Sequence, residues 1–314
     1  MATLNLQEIH DLLVSVAYEA GDKMLAAKPS HSTSGTKKNC EYPLHTEFNK
    51  TRGRLTWAAA DLVTETDQAV ERHVSKRLLS AYPSFQFIGE ETYYPGQKLS
   101  EEPTFIVDPI DGTTNFVHNF PAFCISLGLA VKKIPVVGVI YNPFLDELYT
   151  AIKGQGAYLQ KLGKTKQRLP LRVPEPLNDL STCLVGIEWG SDRTGHNFEL
   201  KRKVFTKLVA SKDDGGAMVH ALRCTGSSAL NIATVASGQQ DVFWEGGCWA
   251  WDVCAGWCIL VESGGIMVSG NPEKWECEIE ARNYLAVRGA PSGQRQIVQQ
   301  MWNVVGDGKF DYTS

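Results

Sequence analysis

Two aspartates that follow a short apolar run carry the clearest chemistry in this 314-residue sequence. Segment 105–116 reads Phe-Ile-Val-Asp-Pro-Ile-Asp-Gly-Thr-Thr-Asn-Phe, so Asp108 and Asp111 lie at the end of a predicted buried strand. Pro109 has a fixed φ and favours an extended conformation at Asp108, which gives the two carboxylates a defined geometry. Carboxylates held in this way suit a hard divalent cation with oxygen ligands, Mg²⁺ before Zn²⁺.

The residues directly after the second aspartate predict an anion site. Gly112, Thr113 and Thr114 open a predicted helix, and the free amides at a helix start suit a phosphate. The carbonyl oxygen of Ile110 is a further ligand atom in the same segment. Metal ligands next to an anion site indicate hydrolysis of a phosphate ester. The structural alternative is a turn and capping role for both aspartates.

Three more carboxylates stand at the ends of predicted elements. Glu90 follows an apolar strand and a glycine, Asp67 begins the second predicted helix, and Asp252 follows Trp251 at the start of a late helix. Each also has a structural interpretation, which is an exposed turn for Glu90 and helix capping for the other two. Glu90 gains catalytic meaning only if it shares a metal with Asp108.

Composition and charge exclude several classes of protein and of binding partner. The net charge of −4 gives no electrostatic footprint for nucleic acid or an anionic membrane, so we expect neither partner. The N-terminal apolar run is too short and too acidic for a signal peptide, and no apolar stretch reaches the ~18 residues of a membrane span. The eight cysteines are scattered without CxxC pairs, which predicts reduced thiols in a cytoplasmic protein.

Alternating predicted strands and helices indicate a layered α/β or α+β architecture. We predict an N-terminal subdomain over 1–164 that carries most metal ligands, with segment 28–56 as an insertion or mobile loop. Residues 165–314 would form a second subdomain that completes the site. The predicted helices cover 6–25, a segment from 65, 196–212, 230–235 and 250–261. The predicted strands cover 60–64, 85–88, 105–107, 124–131, 136–141, 147–151 and 183–187.

Two segments together carry a resemblance to a known family. Segment 105–118 resembles the first motif of the inositol monophosphatase family, and 251–265 resembles its second, a Trp-Asp followed by an apolar helix that ends in Gly-Gly. Residues 61–67 and the Gly-Glu-Glu at 89–91 also match, and the resemblance runs from about 57 to 290. It implies an αβαβα layered sandwich of the inositol monophosphatase and fructose-bisphosphatase type. It also implies a homodimeric, Mg²⁺-dependent, lithium-sensitive phosphatase.

The resemblance further implies roles for individual residues. The ligands of two to three Mg²⁺ ions would be Glu90, Asp108, the Ile110 carbonyl, Asp111 and Asp252. Thr113 and Asp67 resemble the pair that, with Glu90, orients the attacking water. Phosphate and substrate contacts would come from Asp111, Gly112, Thr113, Gly226, Ser227, Ser228 and Glu245.

The residues after Asp-Gly-Thr bear on the substrate. Relatives that cleave phosphoadenosine phosphate or histidinol phosphate often have a lysine after that threonine, whereas Thr114 here resembles the branch that acts on inositol and related polyol phosphates. We therefore expect hydrolysis of inositol monophosphate or a close polyol phosphate. Two alternatives stay open: a phosphatase of another small phosphate (a nucleotide bisphosphate, histidinol phosphate or a sugar phosphate), and a non-catalytic regulatory protein that keeps the fold.

The insertion at 28–56 departs from the family pattern. Family members carry a short active-site loop with a lysine there, and Lys50, Arg52 and Arg54 are the residues that could replace it. Such an insertion resembles filamentous-fungal members tied to quinate utilisation. Segment 188–193 partly resembles the family's substrate-side loop, where Ser191 and Asp192 are the candidates.

Overall fold

The computed structural model describes residues 4–27, 35–36, 62–161 and 164–312. Apart from the two residues at 35–36, the predicted insertion lies outside the described residues, and so do Asp61, Lys50, Arg52 and Arg54. No helix within the described ranges combines the length and apolarity that a membrane span requires.

Seven α-helices are described, and six of them match predicted helices. They are α1 (Leu6–Ala26), α2 (Glu65–Ala81), α3 (Thr113–Val117), α4 (Gly195–Val209), α5 (Ser228–Ala236), α6 (Ala250–Glu262) and α7 (Gln294–Val305). A 3₁₀ turn spans Leu180–Thr182. The predicted helix after Asp111 is α3, whereas α7 was not predicted.

The larger sheet has seven strands in the order β3-β4-β5-β6-β7-β8-β9. Only β3 and β4 are parallel, and every later neighbour is antiparallel. The strands are β3 (Gln86–Gly89), β4 (Thr104–Asp111), β5 (Cys124–Val131), β6 (Ile134–Asn142), β7 (Glu147–Ile152), β8 (Ala157–Lys161) and β9 (Gln167–Arg168). A short antiparallel pair, β1 (Gly35–Thr36) and β2 (Leu62–Val63), precedes it in the chain.

The smaller sheet has five strands in the order β11-β10-β12-β14-β13. They are β10 (Leu184–Ile187), β11 (Ala221–Arg223), β12 (Val242–Gly246), β13 (Ile266–Ser269) and β14 (Asn283–Val287). The sequence patterns did not predict β12 to β14. All five residues of β12 are buried, because helices cover both faces of this sheet, so the strand lacks the apolar–polar alternation that marks a half-exposed strand.

Helices and sheets stack in five layers. Helices α1 and α2 pack on one face of the larger sheet, α5 and α6 lie between the two sheets, and α4 and α7 cover the outer face of the smaller sheet. This arrangement confirms the predicted αβαβα sandwich. The larger sheet can approach α6 closely because Gly128 and Gly138 face it: a Cβ at Gly138 would lie 2.2 Å from the Ala255 carbonyl oxygen.

The middle layer joins the two halves of the chain. Helices α5 and α6 come from the second half but share a core with strands of the larger sheet. Strand β9 lies beyond residue 165 and still belongs to that sheet. The division into subdomains at 164 therefore stays a prediction. Cys254 and Cys258 are buried in α6, as expected for core residues.

Candidate active site

The end of β4 presents the first two carboxylates. The structure extends this strand through both aspartates to Asp111, and its register with β5 shifts between Asp108 and Asp111. Pro109 lies within the shift, where its missing N–H removes no ladder hydrogen bond. The backbone N–H of Ile110 donates to Asp108 Oδ1 over 3.0 Å. The end of β4 thus presents both carboxylates to one cavity, and the hydrogen bond from Ile110 fixes the position of Asp108.

Three carboxylates from distant parts of the sequence meet in this cavity. Asp108, Asp111 and Asp252 each offer an oxygen, and these atoms lie within 4.8 Å of one another. We call these three residues the acid cluster. Glu90 lines the same cavity but does not belong to the close set. The structure therefore brings together four of the five predicted ligand residues as side chains, and Ile110 lines the cavity as well.

Two members of the acid cluster also hold helix starts. Asp111 Oδ2 accepts hydrogen bonds from the Ser227 hydroxyl (2.6 Å) and the Ala229 N–H (2.7 Å) at the start of α5. Asp252 Oδ2 accepts from the Trp249 N–H over 2.6 Å at the start of α6. The capping interpretation and the metal interpretation are thus compatible, since capping engages one oxygen of each carboxylate.

The electrostatics of the acid cluster favour a cation. Burial raises the pKa of Asp111 to about 6, and the charge of Glu90 adds to this rise. The pKa of Asp252 is raised well above its ordinary value by burial first and then by Asp111 and Glu90. Within the described ranges no ion pair involves Asp111 or Asp252. Buried carboxylate oxygens that face one cavity fit a hard divalent ion such as Mg²⁺.

A second hydrogen-bond chain connects α2 with α3. The Thr113 hydroxyl lies 3.0 Å from both Asp67 Oδ1 and the Ile110 carbonyl oxygen. The other oxygen of Asp67 accepts from the backbone N–H of Thr64 (2.9 Å) and from its hydroxyl, which completes a capping box at the start of α2. Asp67 is fully buried, and its hydrogen bond with Thr113 connects it to the lining of the cavity.

A buried glutamate that the sequence analysis did not single out supports Glu90. Glu71 Oε2 accepts the backbone N–H of Glu91 over 2.7 Å, and burial raises the pKa of Glu71. Gly89 makes room for this contact, because a Cβ there would lie 2.5 Å from the Glu71 carboxyl carbon. The signal in the sequence is an acid directly beside Val70, on the apolar side of α2.

The far end of the cavity is built by the second half of the chain. The cavity has a volume of about 410 Å³, and Glu245 lines it from β12. Ser228 donates its hydroxyl to Glu245 Oε2 over 3.0 Å. Lys201 Nζ lies 3.9 Å from Glu245 Oε1 and donates to the Trp189 carbonyl oxygen over 3.2 Å. Burial raises the pKa of Glu245 to about 7, although Lys201 opposes the rise.

The other predicted substrate contacts fall into two groups. Gly112, Gly226, Ser228 and Ser191 line the cavity. The Ser227 side chain does not, because its hydroxyl is buried and donates to Asp111. Asp192 is also absent from the lining and accepts a hydrogen bond from the Tyr312 hydroxyl over 2.9 Å.

Lys201, Glu188 and Tyr312 were missed as site residues. Glu188 Oε1 accepts from the backbone N–H groups of Thr225 (2.6 Å) and Gly226 (2.9 Å), so it holds the loop that precedes α5. The only signal for Lys201 was a lysine on the apolar side of a helix, next to Leu200. No local pattern marked Tyr312.

Comparisons with known proteins agree with this geometry. The model of the inositol monophosphatase family matches residues 5–305. Inositol monophosphatase 2 of Saccharomyces cerevisiae is 47% identical, covering 80% of this chain and 85% of that protein. Inositol monophosphatase 1 of the same yeast is 42% identical, covering 99% of both chains. The quinic acid degradation cluster protein x of Neurospora crassa is 37% identical, covering 98% of this chain and 96% of that protein.

A solved structure extends the match to three dimensions. The inositol monophosphatase from Anabaena superimposes with a TM-score of 0.71 at 28% identity, covering 98% of both chains. The resemblance to fungal inositol monophosphatases and quinate-cluster relatives is confirmed at the level of sequence, and the fold at the level of structure. The chain therefore belongs to the inositol monophosphatase family, and it is a phosphatase enzyme.

Proposed function

We propose that this phosphatase hydrolyses inositol monophosphate, or a close polyol phosphate, by Mg²⁺-dependent attack of water on the phosphorus. The observation that carries the proposal is the acid cluster beside the start of α3, in a cavity whose other end presents Glu245. The first end has the chemistry for a metal and a phosphate, and the second has an acceptor for hydroxyl groups.

Two to three Mg²⁺ ions would be held by Glu90, Asp108, the Ile110 carbonyl, Asp111 and Asp252. When bound, such ions lower the pKa of water and neutralise charge on the leaving oxygen. All donors in this set are oxygens, which suits Mg²⁺ better than a softer metal.

Thr113 and Asp67 would orient the attacking water together with Glu90. The Thr113 hydroxyl has one proton, and a hydrogen bond to Asp67 Oδ1 leaves its lone pairs available to accept a hydrogen bond from the attacking water. Asp67 is fixed by Thr64, so the orientation of Thr113 is set before substrate binds. Such positioning is the main contribution that a protein makes to phosphoryl transfer.

The phosphate and the polyol would occupy different ends of the cavity. Backbone N–H groups of Gly112 and Thr113 would donate to phosphate oxygens. Glu245 would accept hydrogen bonds from polyol hydroxyls, with Gly226 and Ser228 beside it. The cavity volume of about 410 Å³ suits a small ligand. Ser227 would contribute indirectly, through Asp111. We also expect a homodimer, a cytoplasmic location and inhibition by lithium, as the family resemblance implies.

Phosphate release from a panel of monoesters tests the proposal. The panel holds inositol 1-phosphate, glycerol 2-phosphate, histidinol phosphate, phosphoadenosine phosphate and fructose bisphosphate, each with and without Mg²⁺ and then with lithium. We expect Mg²⁺-dependent release that is fastest with inositol 1-phosphate. Preference for another ester would reassign the substrate, and binding of phosphate without release from any ester would support a regulatory protein instead.

A further inference from the structure

Residues 309–312, which follow α7, are tied down along the rim of the cavity. Asn271 accepts the Phe310 N–H at Oδ1 (2.7 Å) and donates to the Phe310 carbonyl (3.1 Å). Asn197 makes the same reciprocal pair with the backbone of Asp311, at 2.9 Å in each direction. Four hydrogen bonds thus fix the path of two consecutive residues, which gives the next side chain a defined position.

Phe310 anchors this segment in the core of the smaller sheet. Its side chain is 5% exposed, and its ring centroid lies 4.7 Å from that of Trp244. Gly246 makes room for the ring, because a Cβ there would lie 2.6 Å from Phe310 Cδ1. The Phe310 ring therefore packs against Gly246, the residue next to Glu245.

Tyr312 lines the cavity. Its hydroxyl donates to Asp192 Oδ2 over 2.9 Å, and the same oxygen would lie 3.1 Å from a Cβ at Gly247. The Arg282 guanidinium lies 4.9 Å from the ring centroid. Tyr312 thus touches both chain segments, 188–193 and 246–249, that enclose the Glu245 end.

We propose that Tyr312 is a specificity-determining residue, which recognises the ring of a cyclic polyol and limits the size of the leaving group. This inference rests on the proposed function and deepens it. A cyclic polyol has an apolar C–H face and a polar hydroxyl edge. An aromatic ring with a fixed hydroxyl matches the apolar face, while Glu245 at the same end matches the hydroxyl edge.

The test compares three esters in the holoenzyme and in Tyr312→Ala. We expect kcat/KM for inositol 1-phosphate to fall about tenfold, mainly through KM, because a contact with the ring is lost. Glycerol 2-phosphate has no ring and should change less than twofold by the same argument. Adenosine 2′-monophosphate, which has a larger leaving group, should be hydrolysed faster than by the wild type.

Two further variants separate recognition from structure. Tyr312→Phe keeps the ring and should retain most of the preference for inositol 1-phosphate over glycerol 2-phosphate. Asp311→Asn is the matched control, because the bonds to Asn197 use only the backbone of Asp311. Equal losses for the cyclic and acyclic esters in Tyr312→Ala, or no loss for either, would overturn the inference.

The proposed function and this inference fail in different ways. If the wild type releases phosphate but Tyr312→Ala keeps the wild-type preference, only the inference is wrong. If the wild type releases none, calorimetric Kd values for inositol 1-phosphate decide: a weaker Kd in Tyr312→Ala supports recognition by the ring. An equal Kd, or no binding to the wild type, overturns the inference.

Discussion

The two ends of the cavity both bury carboxylates, but they balance the negative charge differently. Burial raises the pKa of Asp111 and Asp252 at the acid cluster and of Glu245 at the other end, but within the described ranges no ion pair involves Asp111 or Asp252. At the other end, Lys201 faces Glu245 at 3.9 Å. Because a buried charge that no cation balances is costly, the acid cluster suits a bound cation better than the Glu245 end does.

The difference in charge balance separates the proposed metal site from the proposed substrate site. Glu188, at the Glu245 end, accepts hydrogen bonds from two backbone N–H groups and from the Asn231 amide (2.7 Å). A carboxylate that the protein itself compensates remains available to accept hydrogen bonds from hydroxyl groups. The comparison teaches that the number of acids does not distinguish the two ends, whereas the ion pair between Lys201 and Glu245 does.

The largest effect is expected from removing one charge at the acid cluster. Asp111→Asn should lower kcat by about 10³-fold, because the variant loses a metal charge while its remaining oxygen can still accept from Ser227. Steady-state kinetics across Mg²⁺ concentrations would measure this loss, with circular dichroism as the check on folding. Asp213→Asn, an exposed change, is the control. Near-normal activity in Asp111→Asn would remove this residue from the metal site.

A smaller effect is expected from breaking the charge balance at the other end. Lys201→Met removes the cation beside Glu245 and should raise the pKa of that carboxyl further above 7. Glu245 would then be neutral at pH 7, and KM for inositol 1-phosphate should rise about tenfold, with partial recovery at higher pH. The Mg²⁺ requirement should not change. Lys203→Met, on the exposed side of α4, is the control.

Glu245→Gln distinguishes the two ends in a double-mutant cycle with Lys201→Met. The two changes should not add, since both act on one carboxylate. Together they should alter substrate preference and leave metal dependence as it is. If the Mg²⁺ requirement moves and selectivity does not, Glu245 belongs with the metal ligands.

A separate expected effect concerns the stability of the metal-free protein. The pKa of Asp111 is about 6 in the folded state against an ordinary 3.8, so its contribution to stability is present below pH 3.8 and is lost as pH rises through 6. The loss amounts to about 3 kcal/mol at pH 7.5. Urea unfolding in chelator should show a smaller loss in Asp111→Asn than in the wild type, since Asp252, Glu71 and Glu245 also have raised pKa values. Saturating Mg²⁺ should abolish the part that comes from Asp111. A metal-free protein that is equally stable at pH 5 and pH 7.5 would contradict the charge argument.

Local patterns were sufficient for elements with a clear period or a clear end. The apolar period of α1 predicted a helix over 6–25, and the structure has Leu6–Ala26. The predicted strand 124–131 matches β5 in full. Strands β12 to β14 were missed because burial on both faces removes the alternation on which the prediction depends.

The sequence by itself was enough to identify the acids as candidate site residues. A carboxylate at the end of a predicted strand or at the start of a predicted helix can be recognised without the tertiary structure. Only the tertiary structure decided which of them meet: Asp252 joins Asp108 and Asp111 because α6 packs between the two sheets. Lys201, Glu188 and Tyr312 become part of the site through the same packing, and their local sequence does not show which residues they contact. Charge compensation depends on distances of a few ångströms between residues that are far apart in the chain. These distances are set only when the helices and sheets pack together.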